Sequence, residues 1–371
     1  MYRRRRLGLI CCIVVLGLAG AGFGPPVITD GGHPPVRLGP DEVAALARLS
    51  QPLTLTAASA LLVDLDSGET LYALRRNEPL APASTAKLMT ALLVLQKANF
   101  DDLVTVSPTA AATGGSRMGL VAGETLTVRE LFYGLLLPSG NDAAVALAEY
   151  VSGSETDFIA LMNQTAASMG LTATWFATVH GVDAAGQTTS AQDLVAITRA
   201  DLGYPLFVQV VATQSAEVAG HALQNTNELL GSYPGSDGIK TGTTDDAGEC
   251  LVASVSHRGH RLLAVVLDSR DRYTDARVML DYAAAGWRWQ STDLPDDALA
   301  WTTGSDGQTY RLRAVEPADV FLPAWQWRLT QPVRRLDATA LLTGTLPVGE
   351  LEWLLGGQVL AKVPLSVWQG P

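Results

Sequence analysis

The chain has 371 residues, of which 47% are hydrophobic and 17% charged, with a formal net charge of -11. That length allows two domains and a large core, and the composition excludes an intrinsically disordered chain. The acidic balance, with no basic stripe, excludes a general nucleic-acid binder, and three cysteines, Cys11, Cys12 and Cys250, build neither a disulfide framework nor a cysteine metal site.

Arg3 to Arg6 precede an apolar run, Leu7 to Leu18, and then the small residues Ala19-Gly20-Ala21. This is the layout of a secretory signal peptide over residues 1–21. An uncleaved anchor is the alternative, because Leu7 to Phe23 approaches the length that spans a bilayer. Either way the bulk of the chain is expected to be exported, at the outer face of the cytoplasmic membrane or secreted. Membrane attachment is expected only if the segment stays uncleaved. Residues 22–54, rich in Gly and Pro as far as Pro40, read as linker, with a short helix from Asp41 to Leu49.

Ala58 to Leu65 and Glu69 to Leu74 are β-like runs around the turn Asp66-Ser67-Gly68, a hairpin that leads to Ala83-Ser84-Thr85-Ala86-Lys87. The last stretch reads as the start of a buried helix continuing through Leu95. Thr127-Val128-Arg129-Glu130 is a capping box for a helix to Leu137. Pro138-Ser139-Gly140-Asn141 breaks that helix, Asp142 to Val151 resumes it, and Ser154 to Met169 forms another, ended by Gly170. Strands return at Glu249 to Ser256 and His260 to Leu267, joined near Arg258-Gly259, and Tyr273 to Trp287 is helical. Strands, then helices, then strands imply an α+β domain over residues 55–289, an antiparallel sheet with helices on its faces. From residue 290 to 371 short β-like segments alternate with Gly, Pro and Asp, the pattern of a small β-rich domain. Seven of the eight tryptophans fall between Trp287 and Trp368, and core packing is the expected reason.

Ser84 and Lys87 are three residues apart and share a helix face. A serine near a helix N-terminus, beside a neutral amine that takes its proton, is a nucleophile. A lysine is almost wholly charged at pH 7, and lowering its pKa by about three units takes about 4 kcal/mol from desolvation and a neighbouring cation. The apolar run after Lys87 supplies the first and a distant second lysine the other. Alone, S-x-x-K more often marks an ordinary helix start with a solvated lysine; Pro-Ser-Gly-Asn alone marks a turn, and K-T-G alone an exposed strand end. Here Ser84/Lys87, Ser139-Gly140-Asn141 and Lys240-Thr241-Gly242 occur in that order.

Those three motifs, with Gly140 to Glu149, Val179-His180-Gly181-Val182-Asp183-Ala184 and Asp237 to Gly242 followed by Ala247-Gly248, resemble the low-molecular-mass penicillin-binding proteins. These are serine D-alanyl-D-alanine carboxypeptidases (peptidase S11-like), and the resemblance runs from Ala58 to Trp287. It implies a β-lactamase/transpeptidase-like domain with a helical subdomain, followed by a β-rich C-terminal domain. It implies a peptidoglycan stem peptide ending in D-Ala-D-Ala as substrate and β-lactams as covalent inhibitors, with no cofactor and no metal. By the same resemblance Ser84 is the nucleophile, Lys87 the base and Ser139 the proton relay to the departing D-alanine. Asn141 binds the substrate amide and Lys87. Lys240 and Thr241 attract the terminal carboxylate, Gly242 leaves room for the substrate along the strand, and the N–H groups of Ser84 and Thr243 form the oxyanion hole. The chain lacks the amphipathic C-terminal helix of many relatives. His180 is expected to be structural, and Cys250 a small buried hydrophobe. A D,D-endopeptidase or a β-lactamase stays open, with Asn225-Thr226-Asn227-Glu228 the segment to check for a deacylating glutamate. So does a non-catalytic exported cell-wall binding module.

Overall fold

The computed structural model describes residues 27–30, 39, 40, 43, 52–257, 260–296 and 298–368. The leader Arg3 to Ala21, most of the expected helix Asp41 to Leu49, and the turn Arg258-Gly259 lie outside the described residues. The chain divides into two units, Pro52–Ala283 and Ala284–Pro371 with Met1–Gln51.

In the first unit five strands make one antiparallel sheet. They are β1 (Ser59–Asp64), β2 (Thr70–Leu74), β3 (Ser236–Thr244), β4 (Gly248–His257) and β5 (His260–Ser269), in the spatial order β2-β1-β5-β4-β3. All six residues of β1 are buried, as a central strand covered on both faces requires. The β1–β2 turn is held by Asp64, whose Oδ1 accepts from the Ser67 N–H and hydroxyl. Val265 faces Leu61 of β1 on one side and Val252 of β4 on the other, and Gly242 of β3 faces Cys250 of β4. Strand β3 therefore forms one edge of the sheet.

The longer helices are α1 (Lys87–Lys97), α2 (Val128–Leu136), α3 (Asn141–Ser152), α4 (Glu155–Ser168), α5 (Ala191–Asp201), α6 (Pro205–Val211) and α7 (Arg272–Gly286). Every residue from Lys87 to Leu95 is buried, so α1 is a central helix with no solvent face. It packs against α5, α3, α2 and α4. The Thr127 capping box is present in full, and Ser154 and Ser190 cap α4 and α5. The fold is α+β, as expected. One local expectation changes: Ser84 does not lie in the α-helix. Ala83–Ala86 form a 3₁₀ turn, because Ala83 has a left-handed φ of +46° and Thr85 returns both its N–H and its hydroxyl to the Pro82 carbonyl.

The second unit carries a six-stranded antiparallel sheet in the order Val27–Asp30, Thr330–Asp337, Gly349–Leu355, Gln358–Val367, Thr309–Ala314 and Trp301–Thr303. Within the segment read as linker, Val27–Asp30 is thus an edge strand paired with Thr330–Asp337. Trp327 and Trp353 meet edge to face in the core, with centroids 5.9 Å apart, and their indole N–H groups reach the Arg288 and Thr292 carbonyls. Core packing does not explain every tryptophan. Trp301 and Trp368 are 48% and 40% exposed, and the Arg311 guanidinium lies over both rings, 5.6 and 4.9 Å from their centroids. Among the described residues no single helix is long and apolar enough to cross a membrane.

Asp201, at the end of α5, is fully buried, and neither carboxylate oxygen has a protein partner. Burial pushes its carboxyl well above the usual carboxylate range. A raised folded-state pKa contributes stability that is present below the unfolded pKa near 4 and lost as pH rises through the folded value. Asp201→Asn cannot ionise, so its stability relative to the parent protein should rise as pH increases above about 4. Urea midpoints of both proteins between about pH 4 and about pH 8 check this; parallel curves would refute it.

Candidate active site

Lys87 begins α1 and is completely buried, yet its amine is fully partnered. Nζ lies 2.7 Å from Asn141 Oδ1, 2.8 Å from the His180 carbonyl oxygen and 3.0 Å from Ser84 Oγ. An ammonium ion donates to all three. A neutral amine has only two hydrogens, which the two carbonyl-type oxygens take, and its lone pair is then left for the Ser84 hydroxyl. Burial lowers the Lys87 pKa most, the charge of Lys240 lowers it further, and Asp142 opposes both; the net shift is well below the usual lysine value. The site therefore favours the neutral amine beside Ser84.

Asn141 is placed by the turn that breaks α2 from α3. Its N–H donates to the Ser116 carbonyl and its Nδ2 to the Gly114 carbonyl, both at 2.7 Å, so its Oδ1 is aimed at Lys87. The next residue, Asp142, is buried and accepts from the N–H groups of Met118, Gly119 and Leu120 at 2.9, 2.9 and 3.1 Å. One carboxylate thus ties the Gly114–Leu120 loop to the start of α3. Ser139 has a left-handed φ of +61°, and its buried hydroxyl has no hydrogen-bond partner in the protein.

The His180 contribution is a backbone carbonyl. Thr90 Oγ1 of α1 donates to the Val179 carbonyl at 2.6 Å, and the Gly181 N–H donates to Thr178 Oγ1. Gly181 has a φ of +88°, and a Cβ there would lie 1.8 Å from the Ala83 oxygen. Only glycine allows this loop to lie on the Ser84 turn and deliver the His180 carbonyl to Lys87. Burial, and next the charge of Lys87, bring the His180 imidazole down to about 4, so it is neutral at pH 7.

On the other side stands β3. Lys240 is buried and donates to the Thr241 carbonyl at 2.9 Å. Its own pKa is lowered to about 7, mostly by burial and then by Arg272. A Cβ on Gly242 would lie 2.7 Å from the Ser84 nitrogen, so the absence of a side chain keeps that N–H open. Arg272, at the start of α7, donates to the Gly242 and Cys250 carbonyls, to Thr243 Oγ1 and to Glu249 Oε2. Ser84, Lys87, Asn141, Lys240, Thr241 and Gly242 thus come together from three separate parts of the chain. Cys250 is buried beneath them, its thiol pushed up to about 11 by burial, which makes it inert packing. Among the described residues no three His, Cys, Asp or Glu side chains are grouped to hold a metal.

A family profile described as Peptidase S11, D-alanyl-D-alanine carboxypeptidase, matches residues 46–271. The chain belongs to this family. It is 35% identical to the D-alanyl-D-alanine carboxypeptidase DacC of Escherichia coli over 359 residues, 89% of this chain and 88% of that protein. It is 39% identical to DacF of Bacillus subtilis over 240 residues, 61% of this chain and 62% of that protein's length. The crystal structure of penicillin binding protein 6B from Escherichia coli superposes with a TM-score of 0.67 at 32% identity, covering 85% of this chain and 96% of that one. This chain is a low-molecular-mass penicillin-binding protein of the peptidase S11 family.

The roles of four parts of this S11 site were not read from the sequence. Asp142 acts on a loop rather than on substrate, His180 acts through its backbone, Arg272 sits on the helix after the sheet, and Thr226 lies 2.6 Å from Thr241, Oγ1 to Oγ1. The Asn-Asp pair after Ser139-Gly140 and the His-Gly dipeptide are the local signals for the first two. Gly242→Ala tests the close approach at Ser84. Its Cβ would press on the Ser84 nitrogen and on Ala83 Cβ at 2.9 Å. If the Ser84 N–H is the oxyanion donor that the resemblance implies, acylation by a β-lactam should slow by about a hundredfold or more. Stopped-flow acylation checks the rate and thermal unfolding checks the fold; a rate within threefold of the parent would refute it.

Proposed function

We propose that this enzyme removes the terminal D-alanine from peptidoglycan stem peptides through an acyl-enzyme on Ser84. The hydrogen-bond inventory of Lys87 carries this reading: two acceptors that consume its hydrogens and one hydroxyl that faces its lone pair. Ser84 Oγ attacks the carbonyl carbon of the penultimate D-alanine, and its proton passes to Lys87 Nζ. The oxyanion rests on the N–H groups of Ser84 and Thr243. When the C–N bond breaks, the proton returns through the unpartnered Ser139 hydroxyl to the departing amine. Water then cleaves the ester by the same route in reverse, which restores Ser84.

The substrate lies along the open edge of β3, with Asn141 on its amide and its carboxylate toward Lys240 and Thr241. The side-chain set supports carboxypeptidase chemistry over capture alone, because each group the chemistry needs is present. Glu228, from the segment checked for a deacylating glutamate, is exposed. We place the enzyme outside the cytoplasmic membrane, where the peptidoglycan is, and expect β-lactams to acylate it as substrate mimics. Intact mass after incubation with a penicillin should show one adduct, absent in Ser84→Ala; an adduct retained by that variant would remove Ser84 as the nucleophile.

The pH dependence follows from the two lysines. Protonation of Lys87 sets the acidic limb. Lys240 loses its charge as pH rises through about 7, so capture of a free carboxylate weakens on the alkaline side. In Lys240→Ala the cation that depresses Lys87 is gone, so the acidic limb should move to higher pH. The same variant should lose about ten- to a hundredfold in kcat/KM on a free-acid pentapeptide, and less on its C-terminal amide. Profiles of both peptides with both proteins decide this. Equal losses with an unmoved acidic limb would remove Lys240 from the site.

A further inference from the structure

We propose that Thr226 is a positioning residue that sets Thr241 as a hydrogen-bond donor, and so makes the site selective for a free C-terminal carboxylate. The inference rests on the assignment of Thr241 to the substrate carboxylate. The two hydroxyl oxygens are 2.6 Å apart, and either can donate to the other. Each hydroxyl owns a single hydrogen. If Thr241 donates to Thr226, it turns lone pairs toward the site and repels a carboxylate. If Thr226 donates to Thr241, the Thr241 hydrogen is free for the ligand and is polarised by the bond behind it. A carboxylate, which only accepts, fits the second arrangement alone. An amide end both donates and accepts, and fits either.

The segment around Thr226 is built to hold this residue at the strand edge. Its N–H donates to the Leu137 carbonyl at 3.1 Å, and its carbonyl accepts from the Tyr273 hydroxyl at 2.8 Å. Its neighbours Asn225 and Asn227 are 9% and 3% exposed. Asn225 Nδ2 donates to the Thr213 carbonyl, and Asn227 Oδ1 accepts from the Leu229 N–H. Thr226 itself is exposed, so its side chain fills no core space, and its one side-chain bond is to Thr241. Thr241 is then fixed at two points. Lys240 holds its carbonyl and Thr226 its hydroxyl.

The test compares the parent protein with Thr226→Val, which keeps the shape without the hydroxyl, Thr226→Ser, which keeps the hydroxyl, Thr241→Val, and the double Thr226→Val/Thr241→Val variant. Thermal unfolding is followed for all five. Kinetics use a free-acid pentapeptide and its C-terminal amide. Thr226→Val should lose about three- to tenfold in kcat/KM on the free acid, the scale of one neutral hydrogen bond, and less than twofold on the amide. Thr226→Ser should recover the parent value within twofold. In the Thr241→Val background, Thr226→Val should cost nothing more, because its effect passes through Thr241. Additive losses would mean that Thr226 touches substrate directly and would overturn the positioning role. So would equal losses on both peptides, or an unchanged or faster Thr226→Val. If Thr241→Val itself shows no loss specific to the free acid, the carboxylate assignment falls and this inference with it.

Discussion

A lysine amine with no access to solvent is the constraint on which the rest of the site depends. A charge in that position is costly, and the fold leaves Lys87 two ways to lower the cost. It can shed its proton, which the burial and the nearby cation favour, and it can fill its hydrogen-bonding capacity. The surroundings provide both. Each supporting feature of the site is then readable as a way to bring an oxygen to Nζ without bringing water or a full negative charge. Among the described residues Asp142 is the carboxylate that acts on Lys87, and its oxygens are turned to backbone N–H groups.

The oxygens come from parts of the chain that have no local reason to meet. The Gly114–Leu120 loop orients Asn141, the Val179–Gly181 loop supplies a carbonyl, and the 3₁₀ turn carries Ser84. Two left-handed non-glycine residues, Ala83 and Ser139, sit immediately before these groups. Strained backbone at such points persists only where packing over-determines it, and the Ala83 turn is packed against both α1 and β3. The price of holding Ser84 outside the helix is a distorted turn, and the gain is a serine whose backbone N–H stays open beside Gly242.

Much of this was legible in the sequence because it depends on short-range chemistry. The Thr127 capping box and the Asp66-Ser67-Gly68 turn are local patterns found as read, and the three-residue spacing of Ser84 and Lys87 does bring their side chains together, though from a 3₁₀ turn rather than one helix face. The order of the three motifs and the family resemblance bring Asn141 and Lys240 to the same site. What was not legible is long-range or backbone-borne. The 3₁₀ turn arises from the φ of Ala83 and the Thr85 bonds to Pro82, which no periodicity reveals. The roles of Asp142 and His180 are exerted on main-chain groups, and Arg272 meets β3 only after the sheet has formed. Trp301 and Trp368 show the same limit: composition marks them as core, while their place on the edge strand and near the chain end leaves them beside Arg311 in solvent.

An open sheet edge has a second consequence. A row of unpaired backbone groups is an invitation for another strand, and an identical copy of the chain is the most abundant candidate. Strand β3 must therefore stay available to one kind of guest and closed to its own kind. The cations behind it make that distinction. Lys240 is buried in the strand and Arg272 donates to its Gly242 carbonyl, so pairing of two such edges would bring the Lys240 charge of one copy toward that of the other. A short ligand ending in a carboxylate meets the opposite field. The charge proposed to select the ligand would thus also oppose the pairing of two such edges.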